Sequence, residues 1–343
     1  MTSILAERRG LQRIMVDLGD AEPERAYVLT ALTGDVAVGD RVVANTTATE
    51  LGLGTGGWHV VHWNLERDTW SEPGPGHIMK LRYTSLQADT GAAEEHLADL
   101  PTDLAGMPVV ACTVHSQVAV VAAAIAHRRP GARVAFVMTD GAALPLVLSD
   151  LVSALLEAEL LVGTVTAGHA FGGDHEAVTV PSALTIARHH LHADVTVVGM
   201  GPGVVGTASA LGTTAIEAAD VLDRADALGG TPILCARMSA DDGRERHRGL
   251  SHHSARVLEL TRVQAQVALP SHATADAGRI EPRHQVVEMP VQAVHVAELL
   301  DRSGLAVTTM GRGPAEDPLF FEAACAAGFL ATERLASDGE PAR

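Results

Sequence analysis

Aromatic residues make up only 3% of this 343-residue chain, although 47% of it is hydrophobic. The core must therefore be built from Ala, Val and Leu. Cysteine is nearly absent: Cys112, Cys235 and Cys325 are far apart, odd in number and form no Cys-x-x-Cys pair. No disulfide framework is encoded, which suits a reducing cytoplasm. Long apolar runs are also missing. The longest, 118–126, is nine residues, too short to span a bilayer. Residues 1–10 lack the apolar centre of a signal peptide. Positive charge is in deficit, with 25 Lys and Arg against 42 Asp and Glu and a net charge of −17. Nucleic acids and anionic membranes both require clustered basic side chains, so neither is expected as a partner. Of the basic residues, 24 are arginine and one, Lys80, is lysine. Either nucleotide bias left it by chance, or it marks a place where an ammonium point charge is needed.

Length predicts two domains. Over 1–87 the pattern is β-rich: Ile14, Val16 and Leu18 alternate with polar neighbours, and so does 58–63, which places Trp58, Val60 and His62 on one face. Glycine-marked turns at 34–35, 39–40 and 52–57 predict a small barrel-like sheet closing with a strand over 77–83. From 88 to 343 the pattern predicts a doubly wound, mostly parallel α/β domain. Near-continuous apolar runs over 109–114, 134–138, 161–165, 195–198, 233–236 and 305–309 are read as strands covered on both faces. Runs 263–269 and 286–289 are read as added strands, antiparallel at an edge. Intervening helices carry one apolar stripe, as at Val118, Val121, Ala122 and Ile125. Thr214 and Glu217 read as a capping box, and Asp317-Pro318 as a helix start.

In an open parallel sheet, ligands bind beyond the carboxyl ends of the strands. The residues placed there are uncommon ones. His115 follows the first predicted strand and Asp140 the second. The third is followed by 168–175, which holds His169, Asp174 and His175. The fourth runs into Gly199, Gly201, Gly203, Gly206 and Thr207. The fifth leads to His252 and His253, and the last to Arg312. Gly201-x-Gly203-x-x-Gly206 has the dinucleotide spacing, but no acid stands at the end of a following strand, and Pro202 removes one amide donor. A glycine nest for phosphate or carboxylate and a structural turn are the other readings. His169, Asp174 and His175, completed by Asp140, His252 or His253, are of the right types for a divalent metal ion, though in no standard spacing. The same residues, with His115, also suit proton transfer without a metal.

The runs 77–87, 138–145, 168–174, 200–206 and 249–253 together resemble a bacterial family catalogued only as a domain of unknown function. The resemblance spans nearly the whole chain and carries no activity with it. From the residues, the expectation is a cytoplasmic enzyme acting on a small anionic or phosphorylated metabolite or nucleotide by hydrolysis or group transfer. Asp140, His169, Asp174, His175 and His115 would do the chemistry, the glycines with Thr207 would hold the anion, and Arg312 and Lys80 would neutralise it. A metabolite sensor and an NAD(P)-dependent dehydrogenase are the alternatives. A homodimer is expected only because twofold assemblies are common.

Overall fold

The computed structural model describes residues 1–19, 22–54, 56–97, 99–207 and 209–335. They fall into two compact units, Met1–Ala92 and the remainder. The first unit contains β1 (Ser3–Arg8), β2 (Leu11–Val16), β3 (Glu24–Leu29), α1 (Thr30–Thr33), β4 (Val42–Asn45), α2 (Thr47–Glu50), β5 (Trp58–Asn64), β6 (Met79–Lys80) and β7 (Ala88–Asp89). Its main sheet has the order β1-β2-β3-β5-β4. The β3–β5 pair is parallel and the others antiparallel. This is a mixed sheet with β1 and β4 at its edges, and no hydrogen-bonded closure into a barrel is formed among the described residues. Period-2 alternation puts Ile14, Val16, Ala26, Val28 and Val61 into its small core. Trp58 lies on the other face, stacked on Tyr27 at 4.6 Å. The strand expected over 77–83 is cut to two residues, because Leu81 and Tyr83 take left-handed backbone conformations (φ 51° and 63°) that a strand cannot contain. Lys80, in β6, is buried.

The second unit begins with β8 (Pro108–Cys112), α3 (Gln117–Arg128), β9 (Val134–Thr139), α4 (Asp150–Glu157) and β10 (Gly163–Ala167). It continues through β11 (His175–Ala177), α5 (Val180–Thr185), β12 (Val195–Met200), α6 (Glu217–Ala227) and β13 (Thr231–Cys235). A short ladder, β14 (Met238–Ser239) with β15 (Gly249–Leu250), precedes α7 (His252–Leu260). Then come β16 (Gln266–Pro270), β17 (Gln285–Met289), α8 (Ala293–Ser303) and α9 (Pro318–Glu333). Eight strands form one parallel sheet in the order β11-β10-β9-β12-β8-β13-β16-β17. Both faces are covered, as the continuous apolar runs require. Val110 and Cys112 of β8 enter the core under α3, α4, α8 and α9, whereas Val109 and Ala111 enter the core under α5, α6 and α7.

Several expectations are corrected here. β16 and β17 pair parallel, not antiparallel. The run 305–309 is no strand of the sheet; Leu305 and Val307 alternate with exposed neighbours and cap the core of the α3 layer from outside. The segment 175–177, read as loop, forms the edge strand β11. α3 is buried all round rather than along one stripe, because α9 covers its outer side. The approach is close enough that a methyl group on Gly328 would stand 2.7 Å from Ala124 Cβ.

Candidate functional site

The strand order places β12 between β9 and β8, although it follows both in the chain. The helices after β8 and β9 pack on one face and α6, after β12, on the other. The connections therefore diverge on either side of β12 at the carboxyl edge, the position at which open parallel sheets take ligands.

Three hydrogen-bonded ties join the loops there. The His115 Nδ1–H donates to the Met200 carbonyl at 2.9 Å, which leaves Nε2 to accept from the Ser149 hydroxyl at 2.7 Å. Ser149 also caps α4 through Val152 N. Burial lowers the pKa of His115 below its ordinary value, so the neutral ring is favoured. A serine hydroxyl on a histidine is a nucleophile–base geometry, but Ser149 is only 3% exposed. Both ring nitrogens of His115 are taken up inside the protein, so it acts as a tie between loops. Gln117 makes the second tie. Its side-chain oxygen accepts from Thr113 N and Val114 N, and its amide group donates to the Cys235 and Ala236 carbonyls. In the third, Asp140 accepts from His169 N at 2.9 Å. The predicted residues Asp140 and His169 are thus neighbours.

The glycine segment lies against the Asp140 loop. Ala143 N donates to the Pro202 carbonyl, and a methyl group on Gly201 would stand 2.2 Å from the Ala143 oxygen. Only glycine permits that approach. Gly203 has φ +99° and open space around it, and among the described residues nothing takes the amides of Gly203 or Val204. Gly199 lies inside β12 against Cys112 and is a sheet residue, not a loop donor. Thr207 N donates to Gly212 O and closes the loop on itself. The helix does not start at the third glycine, as the dinucleotide pattern requires; α6 begins at Glu217, with Glu217 and Asp220 in its first turn. The capping box is also displaced. Thr213 caps the turn that leads into α6, and the Thr214 hydroxyl accepts from Val205 N.

Freed from capping, Glu217 packs its carboxyl group against Gly141, next to Asp140. Its Oε2 is buried and makes no well-formed hydrogen bond. Burial first, and the adjacent Asp140 charge, push its pKa up to about 7; the nearby Thr139 side chain and Gly141 backbone only partly oppose this.

The other end of the same edge, around β13, is built from arginine, aspartate and histidine. Asp242, 2% exposed, meets Arg244 at 3.0 Å and both Arg237 and Arg312 at 3.5 Å. Its hydrogen bonds with Arg244 hold its carboxyl well below the usual range, against the cost of burial. Arg312 also bonds Asp317 at 3.0 Å, and Asp317 accepts from Ser239 instead of capping α9 with its side chain. Arg312 is therefore committed to this network. Arg237 is nearly buried, and burial lowers its pKa to about 10. Against it stand His247, His252 and His253, with ring centroids 4.3–4.8 Å apart. Burial, then the Arg237 charge, push His247 and His253 down to about 3. A methyl group on Gly206 would stand 3.8 Å from His253 Nε2, so the glycine loop reaches from the acidic end to this cluster.

The expected metal set is not assembled. Asp174 binds Thr164 N and its hydroxyl, both at 2.8 Å, and His175 packs edge-on against His190 at 4.7 Å. Asp174 lies beside the beginning of β10, whereas His169 lies just past its end, because β11 runs parallel to β10 with His175 opposite Val165. Among the described residues the group able to hold a metal ion is His247, His252 and His253. His247 and Glu217 were missed as site residues, and Arg237 and Asp242, which follow the fifth predicted strand, were placed at this edge but given no role. Glu217 was assigned to a cap, and nothing in the spacing of 237–247 signals that the segment folds back onto α7.

A cavity of about 560 Å³ lies at the opposite, amino edge, lined by Pro108, Ala132 and Asp194 among others, and includes none of these residues. Among the described residues no helix is long and apolar enough to cross a membrane. No curated protein and no solved structure matches the chain. A family model does match, over residues 25–328: the chain belongs to DUF3866, a family described as protein of unknown function.

Proposed function

We propose that the protein is an enzyme that performs acid–base chemistry, hydrolysis or group transfer, on a small anionic or phosphorylated metabolite. Glu217 exchanges the proton, and the open turn at Gly203 and Val204 receives the anionic group through its backbone amides. The observation that carries this reading is the Glu217 carboxyl group, with one oxygen buried and unsatisfied beside a second carboxylate, Asp140. Strain of this kind on a titratable group is concentrated at functional sites. A carboxyl group titrating near neutrality also exchanges protons efficiently at working pH. The reading includes a cytoplasmic location, consistent with three free, buried cysteines, and a homodimer.

The test begins with a thermal-shift screen of the full chain against inorganic phosphate, nucleotides and sugar phosphates. Turnover of each stabilising ligand is then measured in wild type and Glu217→Gln. The reading expects the variant to keep binding and to lose about 10²–10⁴-fold in rate, the usual contribution of a general acid or base. Saturable binding without turnover in the wild type would favour the sensor function and remove the catalytic one. Stabilisation by NAD(H) or NADP(H) alone would favour the dehydrogenase.

A further inference from the structure

We propose that His247, His252 and His253 form a binding site for a divalent transition metal of the zinc class, separate from the Asp140–Glu217 pair. One nitrogen of each ring lies within 4.8 Å of the others. A tetrahedral ion at about 2.0–2.1 Å from each nitrogen needs them roughly 3.3 Å apart. Small ring rotations close that gap. The backbone needed to hold the rings is already in place. His252 and His253 open α7, and Ser251 fixes that start by accepting from His253 N at 3.3 Å. The same Ser251 hydroxyl lies 2.7 Å from His247 Nδ1. That contact orients the His247 ring and leaves Nε2 to ligate, an arrangement metal-bound histidines use widely.

The second, independent observation is His252 Nε2, which is buried and has no hydrogen-bond partner. Buried polar nitrogens are nearly always paired, and one that is not requires a reason. An ion coordinated there supplies the missing partner.

The surroundings define what kind of site this is. The positive charges of Arg237, Arg244 and Arg246 lie close to the imidazoles. The same charges oppose a bare cation. Three protein ligands leave a fourth position open, and here it suits an anionic oxygen, either hydroxide or a group of the substrate. His253 Nε2 lies beside Gly206, at the end of the glycine loop. Arg237 Nη1 is 3.4 Å from His253 Nδ1, a long contact that leaves the ring free to turn. The use of a substrate group as fourth ligand rests on the proposed function; the metal site itself does not.

The experiment uses the full chain without an affinity tag, stripped with chelator and titrated with Zn²⁺ by calorimetry and with Co²⁺ by visible absorption. One equivalent is expected to bind, with the intense absorption of four-coordinate Co²⁺. His252→Ala should weaken Zn²⁺ binding at least ~100-fold, and Ser251→Ala, which removes the hydroxyl that orients His247 and caps α7, by about 10–100-fold. His252→Gln is a milder replacement if the alanine variant melts early. His169→Ala and Glu217→Gln should bind as the wild type does. Failure of the wild type to bind one equivalent, or equal binding by the His252 variants, overturns the site. Metal binding without Glu217-dependent turnover leaves the site standing and removes the acid–base reading. Glu217-dependent turnover in a chain that binds no metal does the reverse.

Discussion

Asp242 and Glu217 are two carboxylates on the same edge of the same sheet, and their surroundings push them in opposite directions. Asp242 is 2% exposed yet held well below the ordinary carboxylate range, first by its hydrogen bonds with Arg244. Glu217 is pushed up to about 7, first by burial and then by the Asp140 carboxylate beside it. Burial raises the pKa of both carboxyl groups, and only at Asp242 do hydrogen bonds with a guanidinium outweigh it. The Asp242 carboxyl group is engaged by its guanidinium partners. The acidic end is left unsatisfied, as a proton-exchanging group needs to be.

The strongest way to break this contrast is Asp242→Ala. It leaves Arg237 buried without its partner, and removing one member of a buried pair costs about 3–5 kcal/mol. The urea midpoint should fall accordingly. Because the folded pKa of Asp242 is depressed, its stabilisation is present above the unfolded value near 3.8 and is lost as pH falls through and below it. Asp242→Asn should remove that part of the acid sensitivity. An unchanged midpoint in the alanine variant would mean that the network is decorative.

A smaller effect separates two glycines of the 201–203 turn. Gly201→Ala forces a methyl group onto the Ala143 carbonyl and should cost about 3 kcal/mol. Gly203→Ala meets no atom and suffers only from its positive φ, about 1 kcal/mol. Equal melting temperatures for the two would contradict the close approach of the 201–203 turn to the Asp140 loop.

The smallest effect has the opposite sign. The folded pKa of Glu217 is raised, so the wild type loses stability as pH climbs from about 4.5 to about 7, where the unfolded chain ionises first. Glu217→Gln should match the wild type near pH 4.5 and be more stable at pH 8 by on the order of 1–2 kcal/mol, after allowance for solvent screening. A variant that is no more stable at pH 8 would remove the unfavourable environment assigned to this carboxyl group.

The fold was legible wherever burial on both faces leaves a continuous apolar run. The strands at β8, β9, β10, β12 and β13 follow from that alone. It was not legible where strands are short or half-exposed, as at β11, or where backbone geometry overrides side-chain pattern, as at Leu81 and Tyr83. The clustering of Asp140, His169 and the glycine turn followed from counting what stands at the carboxyl ends. The composition of the histidine cluster did not, because His247 reaches His253 through the β14–β15 ladder, whose two-residue strands leave no periodic trace. Asp174 misled for a related reason. A histidine–aspartate loop has the chemistry of a metal site, but the parallel return of β11 turns Asp174 back toward Thr164.

The most direct measurement is the titration of the Glu217 carboxyl group itself, by ¹³C NMR of glutamate-labelled protein assigned by comparison with Glu217→Gln. The account predicts one glutamate resonance titrating with a midpoint near 7 that is missing from the variant. A Glu217 midpoint near 4.5, that of an ordinary glutamate, would contradict it.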